Sequence, residues 1–166
     1  FAKYVANQIK RWASKPVETQ DKVFKKLIKD AKSTSFGKDH NFTNITTYED
    51  FKQSVPVRDY EALRPYVDRV VEGEQNVLWR GKPIYFAKTS GTTSGAKYIP
   101  ITRESMPSHV EAARNAILMY IHESGKTKFV DGKMIFLQGS PILEEKNGIK
   151  LGRLSGIVAH YVPKYL

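Results

Sequence analysis

Residues 84–101 read Ile84-Tyr85-Phe86-Ala87-Lys88, then Thr89-Ser90-Gly91-Thr92-Thr93-Ser94-Gly95-Ala96-Lys97, then Tyr98-Ile99-Pro100-Ile101. The first run is short, apolar and aromatic, and predicts a buried strand. The last predicts a second extended segment. Between them lie hydroxyl residues, two glycines and one lysine. A loop of small residues between strands can bring its backbone N–H groups close to an anion; the hydroxyls add donors and Lys97 adds a movable positive charge. The guest that suits such a loop is a polyphosphate, ATP above all. A polar hairpin loop with no ligand has the same composition, and that reading stays open.

Two better-known motifs do not fit. A Walker A loop, G-x-x-x-x-G-K-[ST], would need glycine where Ala96 stands and a hydroxyl where Tyr98 stands. Ser94-Gly95-Ala96-Lys97 matches the S-x-x-K of penicillin-binding proteins, but its companions S-D-N and K-T-G occur nowhere in the chain.

Around the loop the sequence alternates helices and short strands. A first helix is predicted over roughly 1–13, ending before Pro16, and a second over about 19–32. Ser33-Thr34-Ser35-Phe36-Gly37 reads as a breaker. Thr47-x-x-Asp50 resembles a capping box with Asp in place of Glu and opens a short helix through Gln53. Asp59 is placed to cap a helix carrying Val67, Val70 and Val71 that stops near Gly73. After the loop, Thr102 is placed to cap a long helix over 103–123, with Pro107 in its first turn and Val110, Ala113, Ile117 and Ile121 as its apolar stripe. Residues 133–138 read as a buried strand. Asn147-Gly148 marks a tight hairpin between 142–145 and 149–151. Helices around a mixed sheet give an α/β (α+β mixed) fold.

A chain of 166 residues, 40% hydrophobic and 27% charged, has the composition of one globular core. It has no cysteine, which excludes disulfides and thiolate metal sites and is compatible with a cytoplasmic setting. No apolar run approaches a membrane span and no signal peptide is visible. The net charge is +10. Lys22, Lys25, Lys26, Lys29 and Lys32 line one side of the second helix, with Val23, Phe24, Leu27, Ile28 and Ala31 on the other. We read the lysines as a solvated face, not a nucleic-acid or membrane surface, because no RNA-binding aromatic signature or zinc-knuckle spacing accompanies them. His40, His109, His122 and His160 are scattered singly, without the spacing of metal ligands. Trp79 and Trp12 read as packing residues.

The stretch from Phe86-Ala87-Lys88 to Lys97, with Pro100 three residues on, resembles the phosphate loop of adenylate-forming enzymes. The surrounding blocks resemble one family within them, the auxin-responsive Gretchen Hagen family of acyl acid–amido synthetases and its bacterial relatives. These blocks are Phe36-Gly37-Lys38 with His40 and Phe42; Val55-Pro56-Val57-Arg58-Asp59-Tyr60-Glu61; Pro65-Tyr66-Val67; Gly73-Glu74-Gln75-Asn76-Val77-Leu78-Trp79; Gly152-Arg153-Leu154-Ser155-Gly156; and Ala159-His160-Tyr161-Val162-Pro163. The resemblance implies that residues 1–166 are a single partial domain, the N-terminal portion of the large domain of a longer enzyme whose later segments hold the adenine, the ribose and the second-step machinery.

It also implies a chemistry: a carboxylic acid is activated by ATP as an acyl-adenylate, then transferred to the amine of an amino acid. On that reading Ser90, Thr92, Thr93 and Ser94 bond the β- and γ-phosphates, Gly91 and Gly95 allow close backbone approach, and Lys97 holds the phosphates or orders the loop. Mg2+ is expected with ATP, although no dedicated carboxylate pair is visible. The helix after the loop is where the family's acyl group lies. Arg114 is there to meet the carboxylate, with Met119 and Tyr120 near the apolar part, or else it is a solvent-facing arginine of an amphipathic helix. His160 lines the cavity or packs. A ligase passing its acyl group to a thiol such as coenzyme A, and a non-catalytic basic binding module, remain the alternatives. The particular acid and the oligomeric state are not legible.

Overall fold

The computed structural model describes residues 1–89, 95–128, 131–133, 135 and 137–161. Among the described residues, seven helices, one 3-10 turn and four strands follow in order. They are α1 (Ala2–Ala13), α2 (Pro16–Ala31), α3 (Ser35–Asp39), a 3-10 turn (Phe42–Asn44), α4 (Tyr48–Ser54), α5 (Tyr60–Val71), β1 (Tyr85–Lys88), β2 (Tyr98–Ile101), α6 (Met106–Ser124), β3 (Glu144–Lys146), β4 (Ile149–Gly152) and α7 (Leu154–Ala159).

The strands form one mixed sheet in the order β2-β1-β4-β3. β1 pairs antiparallel with β2 and parallel with β4; β3 and β4 are antiparallel. The two parallel strands therefore end side by side, at Lys88 and Gly152. Alternation along β1 sends its side chains to opposite faces. Phe86, fully buried, joins Ile149, Leu151 and the Val67, Val70 and Val71 face of α5. Ala87 joins Ile101, Met106 and Ile157 on the other face, under the start of α6 and α7. A third cluster, Ile28, Ala31, Phe42 and Ile45 with Phe24, Phe36, Phe51 and Trp79 around it, holds α2 to the 3-10 turn and α4.

Local chemistry explains most boundaries. The Thr47 hydroxyl accepts from the Asp50 N–H at 3.1 Å while the Asp50 carboxylate accepts from the Thr47 N–H at 2.8 Å, a closed capping box on α4. Asp59 accepts from the Ala62 N–H at 2.9 Å and caps α5. Asn147 and Gly148 lie at φ 50° and 76°, the left-handed pair that a two-residue hairpin with the right-handed strand twist requires.

Several of the family-like blocks prove to be packing devices. Gly37 sits against the end of α2, where a Cβ would lie 2.1 Å from the Ala31 carbonyl oxygen. Arg69 forks onto Glu74 at 2.8 and 2.6 Å and donates to Ser35 Oγ at 2.8 Å. The carbonyls of Asn76 and Val77 accept from the N–H groups of Ser35 and Phe36 at 2.8 and 2.9 Å. Trp79 packs on the third cluster, with its buried indole N–H unpartnered among the described residues. Trp12, by contrast, is half exposed.

Other expectations need correction. The supposed breaker over 33–37 contains a cap: Thr34 Oγ1 accepts from the Gly37 N–H at 3.0 Å and opens α3. α2 begins at Pro16, earlier than expected, because proline's missing N–H costs nothing in a first turn. α6 begins later, at Met106, because Thr102 and Ser105 exchange side-chain bonds of 3.0 and 3.1 Å one turn before it. The stripe of α6 is not a buried face: Ala113 and Ile117 are exposed, and only Met106 of this helix is buried. Similarly, Val23 and Leu27 of α2 stay half exposed while Ile28 and Ala31 are buried. Lys133, Ile135, Leu137 and Gln138 belong to no strand, and Ile135 and Leu137 are exposed. Apolar composition states a preference for burial and does not by itself specify a ladder. Met134 and Phe136 lie outside the described residues.

Candidate functional site

The loop leaves β1 at its carboxyl end and returns as β2. Its base is closed by the Thr89 N–H donating to the Lys97 carbonyl at 3.1 Å. Ser90, Gly91, Thr92, Thr93 and Ser94 lie outside the described residues. Gly95 is described, at φ 82°, a conformation that favours glycine; no atom lies within 4 Å of the Cβ it lacks. Glycine is thus required there by the turn of the backbone.

Lys97 is half buried, and its Nζ stands 5.3 Å from the centre of the Tyr60 ring. No described carboxylate pairs with it. Beside Thr89, at the carboxyl ends of the parallel strands, a cavity of about 580 Å³ opens between Lys88, Glu144, Arg153 and the Gly139-Ser140 segment. Lys88 reaches Glu144 at 3.4 Å, whereas Arg153 has no carboxylate partner among the described residues. In α/β sheets this end of parallel strands is where ligands collect.

One wall of the cavity is pinned to α7. The Gly139 N–H donates to Ser155 Oγ at 2.9 Å, and His160 Nε2–H donates to the Pro141 carbonyl at 2.8 Å. Gly156 lets the Ser140 carbonyl come so close that a Cβ would be 2.1 Å away. His160 therefore fastens this wall from outside, an exposed residue with a structural bond. The cavity itself went unseen in the sequence. Its one visible signal was the Gly152-Arg153-Leu154-Ser155-Gly156 block.

Arg114 lies elsewhere. Its guanidinium reaches Glu111 at 3.6 Å, donates to Asn115 Oδ1 at 3.2 Å, and stacks 6.0 Å from the Phe1 ring centre. It lines a pocket of about 420 Å³ with Ile84, Arg103, Met106, Val110 and Tyr161. The pKa of the Tyr161 hydroxyl, raised by its hydrogen bond to that of Tyr85 and by partial desolvation, is pushed up to about 12, so it stays protonated at working pH. Ile84 precedes β1 and the loop follows it, roughly 13 Å along the strand. The structure thus groups Gly95 and Lys97 at one end of β1 and Arg114 at the other.

Among the described residues no three His, Cys, Asp or Glu side chains gather as a metal site would need, and no helix is long and apolar enough to cross a membrane. Lys22, Lys25, Lys26, Lys29 and Lys32 are all exposed; Lys25 pairs with Asp21 at 2.8 Å and Lys26 with Asp30.

The family model described as "GH3 family N-terminal domain" matches residues 5–164. A jasmonoyl–L-amino acid synthetase of Nicotiana attenuata, JAR4, is 26% identical over 136 residues, 80% of this chain and 23% of that protein. The indole-3-acetic acid-amido synthetase GH3.15 of Arabidopsis thaliana is 39% identical over 80 residues, 46% of this chain and 13% of its own. The solved structure of a GH3.15 acyl acid amido synthetase superposes with a TM-score of 0.77 at 21% identity, over 94% of this chain and 28% of that one. A second GH3.15 structure, in complex with 2,4-DB, gives 0.77 at 23% identity. These likenesses establish the mixed α/β fold. The chain spans about a quarter or less of the length of the relatives it matches.

Proposed function

The chain belongs to the GH3 family, matching its N-terminal domain, and from that premise we propose that it supplies the phosphate-binding loop of an acyl acid–amido synthetase. The observation that carries the reading is the hairpin itself. A glycine in left-handed conformation and a lysine with no carboxylate partner among the described residues flank a hydroxyl-rich loop, at the end of parallel strands where a cavity opens. Its relatives' names, jasmonoyl–amino acid and indole-3-acetic acid–amido synthetases, supply the substrate class: a small carboxylic acid and an amino acid.

In the first step an oxygen of the acid's carboxylate attacks the α-phosphorus of ATP, the bond to the β-phosphate breaks, and pyrophosphate leaves. In the second the amine nitrogen attacks the acyl carbon, loses a proton, and AMP leaves. The charge that builds on the departing pyrophosphate is what the loop must hold, so its contribution is electrostatic and positional. Ser90, Thr92, Thr93 and Ser94 donate to the β- and γ-phosphates, Gly91 and Gly95 keep the backbone close, and Lys97 neutralises. Mg2+ would enter with the nucleotide and would offset part of the phosphate charge. The pocket beside Arg114 is apolar along Ile84, Met106 and Val110 and cationic at Arg114, which suits an acid with an apolar body.

Pyrophosphate release by the intact protein across a panel of carboxylic acids tests the reading. Release that depends on one acid class, and an amide product when amino acids are added, is expected. Acid-dependent release that ends only in a thioester with coenzyme A would move the protein to the thiol-transferring ligases. No acid-dependent release, with no effect of Lys97→Ala on ATP binding, would remove the loop from nucleotide chemistry.

A further inference from the structure

Most blocks that relate this chain to its family are absorbed by packing, as Gly37, Glu74 and Asn76 are. The block Arg58-Asp59-Tyr60-Glu61 is different, because Tyr60 reaches the loop. In an extended strand the N–H and C=O of one residue point the same way and alternate from residue to residue. The Lys97 carbonyl faces β1, where it accepts from Thr89. The N–H and C=O of Tyr98 therefore face away, on the outer edge of the sheet, where no strand of the described residues lies beyond β2. The Tyr98 N–H donates to Tyr60 Oη at 2.8 Å, and the Tyr60 hydroxyl points back toward the Tyr98 carbonyl at 3.5 Å. The same tyrosine presents its ring to the Lys97 ammonium at 5.3 Å. One side chain thus holds the returning strand by its hydroxyl and the loop's cation by its ring.

The tyrosine is itself fixed. It is the first residue of α5, whose cap is Asp59 at 2.9 Å from the Ala62 N–H, and it packs on the Val67 cluster. α5 and the loop are thereby joined across 38 residues of sequence.

We propose that Tyr60 is a positioning residue for the loop, holding the Lys97–Tyr98 segment so that the Lys97 ammonium is presented to the nucleotide's phosphates. The proposal rests on the reading of this hairpin as the phosphate loop. The ring's attraction for a cation is weak beside that of a polyphosphate, so Tyr60 parks Lys97 without sequestering it.

The test uses the intact protein with MgATP and its preferred acid. Tyr60→Phe keeps the ring that packs beside α5 and removes only the hydroxyl. It should raise the KM for ATP about 3- to 10-fold, the value of one hydrogen bond, and leave the KM for the acid unchanged. Amide exchange at Tyr98 should accelerate. Tyr60→Leu removes the ring as well and should raise the ATP KM further; in a Lys97→Ala background that extra effect should shrink, because the ring's partner is gone. A Tyr60→Phe protein with wild-type KM for ATP, while Lys97→Ala raises it, would overturn the positioning role and leave the phosphate loop standing. If Lys97→Ala is equally silent, the phosphate-loop reading falls and takes this proposal with it. Equal increases in the KM values for ATP and acid would mark Tyr60 as a general packing residue and overturn the proposal too.

Discussion

Thr89 and Lys97 close the hairpin by one backbone bond of 3.1 Å, from the N–H of the first to the carbonyl of the second. Gly95, two residues inside that closure, is in the left-handed region at φ 82°. A Cβ at Gly95 meets no atom within 4 Å, so replacing it tests backbone conformation alone. Gly95→Ala should cost about 1 kcal/mol of loop strain and raise the KM for ATP several-fold. Gly95→Asn should be milder, since asparagine enters the left-handed region more readily. Steady-state kinetics on the pair decides it: equal damage from both would point to crowding by the ligand instead.

Arg114→Gln keeps a polar side chain on α6 and removes the charge. If the guanidinium receives the acid's carboxylate, one charge-assisted contact of roughly 1.5–3 kcal/mol is lost. The KM for the acid should then rise at least tenfold, with the KM for ATP unchanged. An unaltered acid KM would leave Arg114 as the partner of Glu111 and Asn115 that the structure shows.

What was legible in the sequence was the local chemistry. The Asn147-Gly148 hairpin, the Thr47–Asp50 box and the Asp59 cap each need only neighbouring residues, and each is present. The flanking strands of the loop were legible from their apolar runs. The parallel pairing of β1 with β4 was not, because it joins residues more than sixty positions apart with nothing local to mark it. The described residues of 133–138 belong to no strand for the same reason: hydrophobicity states a preference for burial, but pairing is a long-range relation that no local pattern names. Tyr60 belongs to a family-like block, yet its bond to Tyr98 is a long-range contact of the fold.

The capping box gives α4 a pH dependence. Hydrogen bonds from the backbone N–H groups of Thr46 and Thr47 hold the Asp50 carboxyl at about 2, below its ordinary 3.8. A depressed acid stabilises when ionised. Its contribution is therefore complete above the unfolded value, near pH 4, and is lost as the pH falls through about 2. Thr47→Ala should cost about 1 kcal/mol at neutral pH. Asp50→Asn should destabilise at neutral pH and flatten the acid limb of the melting curve between pH 4 and 2. An acid limb identical to wild type would show that other carboxylates govern it.

The lysine face of α2 should be dispensable. Replacing Lys22, Lys25 and Lys29 by Gln breaks one exposed pair, Lys25 to Asp21, and should change stability by only a few tenths of a kcal/mol per site. Activity should be retained. A salt-dependent affinity for DNA or RNA that disappears in the triple variant would revive the basic binding module.

Gly156, packed against the cavity wall, and Gly132, which meets no neighbour, give opposite expectations from the same substitution. At Gly156 a Cβ would lie 2.1 Å from the Ser140 oxygen and 3.0 Å from its carbonyl carbon, both backbone atoms that no side-chain rotation can move aside. Gly156→Ala must therefore push α7 away from the Gly139-Ser140 segment, at a cost of about 1–3 kcal/mol. At Gly132 no atom lies within 4 Å and the backbone is not left-handed. Gly132→Ala should be neutral or stabilise by about 0.4–1 kcal/mol through the unfolded chain. Denaturant melts of the two variants measure the difference. Because Gly139 and Ser140 also line the cavity beside Thr89, Gly156→Ala should lower turnover beyond its effect on stability, read at a temperature where the protein is still folded. Equal stability of the two variants would mean that α7 and the cavity wall are not held together as the structure has them.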